Sequence, residues 1–316
     1  MSKIPRGKLA LWLGAVLAVA VVTALLVWGR SAPDLHKSLP YLYEDTRQLV
    51  YFVEEAARLV EKRGPEAFRQ FAVRGSRWLN DRHYLFIYDV NGVCLFHPTI
   101  PELVGRHLID LRDMNGRPIG RWISEIGHKP GPDASGWIFY LWKAPTDLTP
   151  TWKISYIRKA VGPKGKIYLV GSGLHHFKIE TIFVRQCVDQ AVKLLQSQGK
   201  EIAFSHFRDP GTRFFFCDTY IYVLNEKGQC LVDPAFPNLE KRDLTNFKDA
   251  LGHHVIREML HHLKDHDTAW MQYMVPKPGS TLLSRKLAYF RKVKINGENL
   301  IVGADFFLAT PIWMKP

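Results

Sequence analysis

From residue 40 onward the apolar positions recur with two alternating periods. Leu42, Leu49, Val53, Ala57 and Val60 fall mostly at three- and four-residue spacing, which predicts one buried helix face; Gly64-Pro65 ends the run. Ile179, Ile182, Cys187, Val188, Ala191 and Leu195 repeat the pattern ahead of Gly199. A shorter helix is expected behind each, carrying Phe68 and Phe71, then Phe204 and Phe207. In "HYLFIYDVNGVCLFHP" two aromatic-rich runs flank Asn91-Gly92, a type I′ hairpin signal. A charged helical stretch over 112–127 follows, then strand-like runs at 137–142, 152–159 and 166–172. "GHKPGPDASG" and "KAPTDLTPT" connect those runs with turn chemistry. Long helix, short helix, hairpin, helix and three strands predict an α+β unit: helices on a five-stranded antiparallel sheet.

That unit occurs twice. Cys94 in "NGVCLFHP" matches Cys230 in "KGQCLVDP", and 230 − 94 = 136. At the same offset Gly92 meets Gly228, Arg106 meets Arg242, Asp113 meets Asp249 and Arg121 meets Arg257. Past a shorter loop the offset is 133, where Trp137 meets Trp270, Tyr140 meets Tyr273 and Lys153 meets Lys286. There "KISYIRKA" (153–160) and "KLAYFRKV" (286–293) share the frame Lys-x-x-Tyr-x-Arg-Lys. At 132, "YLVGSG" (168–173) meets "LIVGAD" (300–305). Small, monotonic changes of offset at Pro/Gly-rich loops are the mark of a duplicated module.

The N-terminus follows another rule. Residues 9–28 are twenty positions without a charge, enough for a bilayer-crossing helix, with Trp12 and Trp28 near its ends. Lys3, Arg6 and Lys8 precede it, so residues 1–8 are expected in the cytoplasm and the remainder outside the membrane. Ala18-Val19-Ala20 has the small-x-small form of a cleavage site but lies inside the apolar run, which favours an uncleaved anchor. In that oxidising space Cys94, Cys187, Cys217 and Cys230 could pair, in any of three full connectivities, or stay free. The formal charge of +13 suits an anionic partner, but the basic residues are spread along the chain rather than gathered in a nucleic-acid arm.

The first unit resembles a Cache domain, the PAS-like extracytoplasmic sensor of bacterial chemoreceptors and histidine kinases, in its single-Cache, type-two form. The resemblance rests on "FIYDVNGVCLFHPTIPELVGRHLIDLRDMNGRPIGRWI", "GWIFYLW", "KISYIRKA" and "YLVGSGLH" in that order. It implies Cache modules over 35–176 and 177–307, behind the anchor and ahead of a tail at 308–316. It further implies a ligand-binding membrane sensor with no cofactor. No kinase, cyclase or methyl-accepting region follows the second unit, so signalling is expected through a separate membrane partner, with homodimerisation left open. The rival expectation is a non-binding interaction subunit that uses these modules as docking surfaces.

A small carboxylate needs a fixed cation, hydrogen-bond donors and an apolar wall. The matched frame offers Lys153 or Arg121 as cation, Tyr140 and Tyr156 as donors, Trp137 as wall and His97 as a further donor. Their counterparts are Lys286, Arg257, Tyr273, Tyr289, Trp270 and Asp233; the acid at 233 is expected to neutralise Lys286. Side chains alternate along a strand, so Lys153 and Tyr156 cannot share a face without a bulge, nor can Trp137 and Tyr140. His254, Glu258, His261 and His262 share a helix face, more in keeping with a solvated surface than a metal site. No Walker A, Rossmann, H-E-x-x-H or G-x-S-x-G pattern occurs, which argues against an enzyme.

Overall fold

The computed structural model describes residues 39–144, 147–277 and 281–308. The apolar segment 9–28 lies outside these residues; among the described residues no helix is long and apolar enough to cross a membrane.

The first periodic run forms α1 (Glu44–Arg63), which buries Leu49, Val50, Val53, Ala56, Ala57 and Val60. Glu44 and Asp45 in its first turn and Lys62 and Arg63 in its last complement the helix dipole. Leu42 is not part of it and is 66% exposed. Gly64, at φ 58, turns the chain out of the helix into a 3-10 turn and the short α2 (Phe68–Phe71).

The hairpin strands are β1 (Phe86–Tyr88) and β2 (Cys94–Phe96). Their connection is not type I′: Gly92 has φ 87 but Asn91 keeps a negative φ, and the Asp89 carboxylate accepts the Asn91 and Val93 N–H groups. A side-chain acceptor at Asp89 thus does part of the work that two left-handed residues do in a I′ turn. The charged stretch is helical only from Pro118 onward, as α3 (Ile119–His128). Residues 113–117 instead wrap the Asp113 carboxylate, which accepts the Asn115, Arg117 and Leu141 N–H groups. Strands β3 (Ser135–Trp142), β4 (Thr151–Val161) and β5 (Ile167–His175) complete an antiparallel sheet of order β2-β1-β5-β4-β3.

The second half runs α4 (Thr181–Arg208, broken at Gly199, φ 81), β6 (Phe215–Phe216), β7 (Thr219–Asn225), β8 (Cys230–Val232), α5 (Val255–His262), β9 (Thr268–Pro276), β10 (Leu283–Ile295) and β11 (Glu298–Phe307). Its sheet has six strands rather than the expected five. The order β8-β7-β11-β10-β9 matches the first sheet, and β6 adds an outer ladder on β7. The fold is mixed α+β with two antiparallel sheets.

Each sheet is covered on both faces. In the first, α1 packs on β4 and β5 from one side while α3 and the segment after β2 cover the other, burying Phe86, Tyr88, Leu108, Trp122, Ile123, Ile138 and Ile157. The helix α4 packs on β7, β10 and β11, and its core also receives Trp137, Phe139 and Trp152 from the first sheet. Phe139 stacks on Phe216 at 4.1 Å, and Arg117 donates to the Phe215 carbonyl, joining the two halves.

Candidate functional site

The octapeptide frame is decoded by strand register. Tyr140 faces Lys153 and Trp137 faces Tyr156 across β3-β4, with no bulge between them. Alternation therefore sends Lys153 and Tyr140 to the α3 side and Trp137 and Tyr156 to the α1 side.

On the α1 side, the Tyr156 hydroxyl donates to Glu54 at 2.9 Å, and Arg158 pairs with Glu54 at 2.9 Å and Glu61 at 2.5 Å. Burial, then the Glu54 charge, raise the Tyr156 pKa, so the phenol stays a donor. These contacts pin the long helix to the sheet. Trp137 meets the Tyr156 ring at 4.9 Å and lines, with Phe139, Phe183, Gln186 and Arg213, a cleft of about 320 Å³ between the halves. The frame's last lysine has a third task. Lys159 Nζ donates to the carbonyl of Lys129, the C-cap of α3, at 3.0 Å, and Lys292 does the same for Leu263 at the end of α5.

On the α3 side Lys153 is 1% exposed. Its Nζ donates to the Tyr84 hydroxyl at 2.6 Å and lies 4.5 Å from the centre of that ring. The Tyr140 hydroxyl shares a hydrogen bond with Ser155 Oγ at 2.9 Å. Burial penalises the Lys153 charge, but the Tyr140 and Tyr84 oxygens outweigh it and hold its pKa above the ordinary lysine value. Among the described residues no carboxylate lies within ion-pair distance of Lys153. His97 and His175 border it, and burial, then the Lys153 charge, push the pKa of each down to about 4. His97 is neutral at pH 7, and its Nδ1 accepts the Ile100 N–H at 3.2 Å, closing the turn after β2.

Of the six residues expected in the first site, His97, Tyr140 and Lys153 come together. Trp137 and Tyr156 lie on the opposite face. Arg121 is on the surface, paired with Asp110 at 2.8 Å, because its helix turns that position to solvent. The second half repeats this division. Arg257 is exposed on Asn246, and Trp270 and Tyr289 meet at 4.8 Å on the face away from Lys286.

Asp233, the partner expected for Lys286, lies near enough for the Lys286 charge to oppose the rise that burial gives its pKa, but it is not the acid at ion-pair distance. Asp233 accepts the Ala235 and Phe236 N–H groups, the turn-closing part His97 plays in the first half. The acid at Lys286 is Asp305, 2% exposed, with Oδ1 at 2.6 Å from Nζ and Oδ2 accepting the Tyr273 hydroxyl at 2.5 Å.

Two residues were not singled out from sequence, Tyr84 and Asp305. Tyr84 matches Tyr220 at offset 136, and Lys286 Nζ lies 5.6 Å from the Tyr220 ring. Asp305 matches Gly173 at offset 132, within the aligned "LIVGAD" and "YLVGSG". All four cysteines are free, and burial pushes their thiols up, to about 11 for Cys94 and about 12 for Cys187, Cys217 and Cys230. Such thiols are poor nucleophiles. His262 and His266 stack at 4.2 Å, and among the described residues no group of three side chains converges as a metal site.

Several solved structures are similar to parts of this chain. A Cache chemosensory domain described for its carboxylic acid recognition is 20% identical over 40% of this chain and 91% of that one, with TM-score 0.34. The periplasmic sensor domain of a chemotaxis protein is 28% identical over 41% of this chain and 89% of that one, with TM-score 0.31. A methyl-accepting chemotaxis protein from Vibrio parahaemolyticus RIMD 2210633 is 20% identical over 42% and 88%, with TM-score 0.33. The family profile dCache_2, described as a Cache domain, matches residues 70–309, well over half of the chain. With that match, the chain belongs to the Cache domain family.

Proposed function

We propose that this protein is a membrane-anchored, extracytoplasmic sensor built from two tandem Cache modules. In this reading the first module binds a small organic anion, and the output is a separate membrane kinase or chemoreceptor. The observation that carries it is Lys153: a fully buried ammonium with no carboxylate at ion-pair distance among the described residues. Buried cations are normally paired, because removing a charge from water costs several kcal/mol. The Tyr84 phenol accepts one Nζ donor and the two tyrosine oxygens favour the charge, but neither phenol is a counter-ion, so an anion taken from solution would complete the site. Tyr140 and Tyr84 supply hydroxyls for its oxygens, and Phe86, Tyr88 and Ile138 form an apolar wall for its carbon chain. The matching offsets and shared strand order support duplication, and the uncharged run 9–28 supports the anchor.

The test is thermal unfolding of the full-length protein in detergent with short organic acids and with neutral sugars. An acid at tenfold excess over its Kd should add roughly 1.4 kcal/mol of stability. Lys153→Ala should abolish that response, since losing a charge-assisted bond costs about 1.5–3 kcal/mol, a tenfold or larger loss of affinity. Stabilisation by sugars alone would sink the reading. A second reading is a non-binding interaction subunit of a membrane complex, favoured by the sealing of Lys153 from solvent. Modules that ignore every acid and co-purify with one fixed partner would support it.

A further inference from the structure

The second sheet carries, in its own sequence, the group that the first lacks. Gly173 faces Ser155 across β4-β5, and Asp305 faces Ala288 across β10-β11. Both stand on the last strand, two residues before the partner of the buried lysine: Lys153 faces His175 and Lys286 faces Phe307. The same lysine and the same tyrosine therefore meet a glycine in one half and a carboxylate in the other.

Their polar contacts change to match. In the second half Lys286 and Tyr273 both turn onto Asp305, one to each oxygen. In the first half Lys153 turns to Tyr84 and Tyr140 turns to Ser155, each a neutral oxygen. The serine hydroxyl stands where the second half has only the methyl of Ala288. A Cβ on Gly173 would lie 2.4 Å from Ser155 Oγ and 2.5 Å from Lys153 Cε. The lysine and serine side chains thus fill the room that the glycine leaves.

We propose that the second half is a self-liganded copy of an anion site, in which the Asp305 carboxylate takes the place of a ligand. Its contacts then give the pose of a ligand in the first half: one oxygen on Lys153 Nζ, the other on the Tyr140 hydroxyl. The pose rests on the reading of Lys153 as a ligand anchor; the self-liganding of the second half does not. The ligand class that fits is a short monocarboxylate. Its head group enters beside Gly173, displaces the Lys153–Tyr84 and Tyr140–Ser155 bonds, and leaves its tail against Phe86 and Ile138. Asp305, fixed to β11, keeps the second half closed to the same ligand.

Chemical rescue tests this on the full-length protein. Asp305→Gly installs the first half's residue and should lower the Tm. Acetate should recover most of the loss with a saturable dose dependence, while acetamide and matched sodium chloride should not. Lys153→Met combined with Asp305→Gly should keep the acetate rescue. Lys286→Met combined with Asp305→Gly should lose the rescue and fall back to the response of the wild-type protein, which comes from Lys153. Acetate no better than chloride on folded Asp305→Gly or Asp305→Ala would overturn the proposal. If neither variant folds in chloride, recovery on refolding in acetate supports it and equal failure in both salts overturns it. A wild-type protein blind to acids beside a rescued Asp305→Gly would refute the role of Lys153 and leave self-liganding intact. A wild-type response lost in Lys153→Met, without rescue of Asp305→Gly, would do the reverse.

Discussion

Strands β4 and β10 present the same lysine, tyrosine, arginine and lysine, yet among the described residues only one of the two buried lysines has a counter-ion. On the helix-pinning face the halves agree: Arg158 holds α1 through Glu54 and Glu61, and Arg291 holds α4 through Asp189. The terminal lysines agree as well, each on the C-cap carbonyl of the covering helix. The halves part company on the other face, where Lys153 meets phenols and Lys286 meets Asp305. The shared contacts fasten helices to the sheet, and the divergent ones surround the buried lysine. On the proposed reading, the comparison separates scaffold from site within a single octapeptide.

The largest effect should come from neutralising each lysine. Lys286→Met leaves Asp305 buried without its cation and should cost about 3–5 kcal/mol. Lys153→Met removes an ammonium with no counter-ion among the described residues. The charge-assisted bond and ring contact to Tyr84 are lost, but so is the cost of burying the charge, so the net loss should be smaller, about 1–2 kcal/mol. Urea unfolding of the two variants measures the difference directly. Equal losses would mean that Lys153 has a compensating charge and would erase the contrast between the halves.

The next effect separates the halves by pH. His97 and His175 of the first half are replaced by Asp233 and Phe307 in the second. Between about pH 6.5 and pH 4 the unfolded chain binds a proton at His97 that the folded chain excludes, so stability falls as pH falls. A histidine moved from its ordinary 6.5 to about 4 contributes up to about 3 kcal/mol, present in full above pH 6.5. Asp233 runs the other way: burial raises its pKa, so its contribution is most favourable on the acid side and is lost as pH rises through that value. Hydrogen exchange at pH 5 and pH 7 should show β1 and β2 losing protection in acid while β7 and β8 keep it. His97→Asn, which preserves an acceptor for the Ile100 N–H, should weaken the dependence and leave the part that His175 contributes. Uniform loss across both sheets would place the acid sensitivity elsewhere.

Much of this architecture is legible in the sequence. Apolar periodicity located both long helices and all the strands of the first sheet, because burial of one face dictates those spacings. Strand alternation already separated Lys153 from Tyr156 and Trp137 from Tyr140. Asp305 was within reach too. Asn296 and Gly297 have φ 49 and 86, a type I′ turn, and pair Ile295 with Glu298. Counting outward from that turn sets Ala288 opposite Asp305 and leaves the acid on the face of Lys286. The I′ signal was instead read at Asn91-Gly92, where the Asp89 side chain supports a different turn. What no local pattern gives is the company of Lys153. Tyr84 is 69 residues away, and the absence of an acid depends on every strand that reaches that face. The extent of β6 and the helix start at Pro118 were equally out of reach, since tertiary contacts settle them.

The smallest effect tests the residue pair that repetition misplaced. Arg121 and Arg257 match at offset 136 and were expected at the sites, but both sit on solvent-facing helix positions. Arg121 is 58% exposed and its partner Asp110 72%, so the pair is screened and each long side chain gives up rotamer freedom to form it. Arg121→Ala should therefore cost about 0–1 kcal/mol, and less as salt is raised. Arg257→Ala loses only a surface hydrogen bond to Asn246 and should cost no more. Neither change should alter the affinity for an organic acid, because neither guanidinium reaches the face that holds Lys153. Titration of wild type and Arg121→Ala with the same acid decides the point. Matching affinities leave Lys153 as the cation of the site, whereas a tenfold loss would move the site to the solvent face of α3 and unseat the comparison of the two lysines.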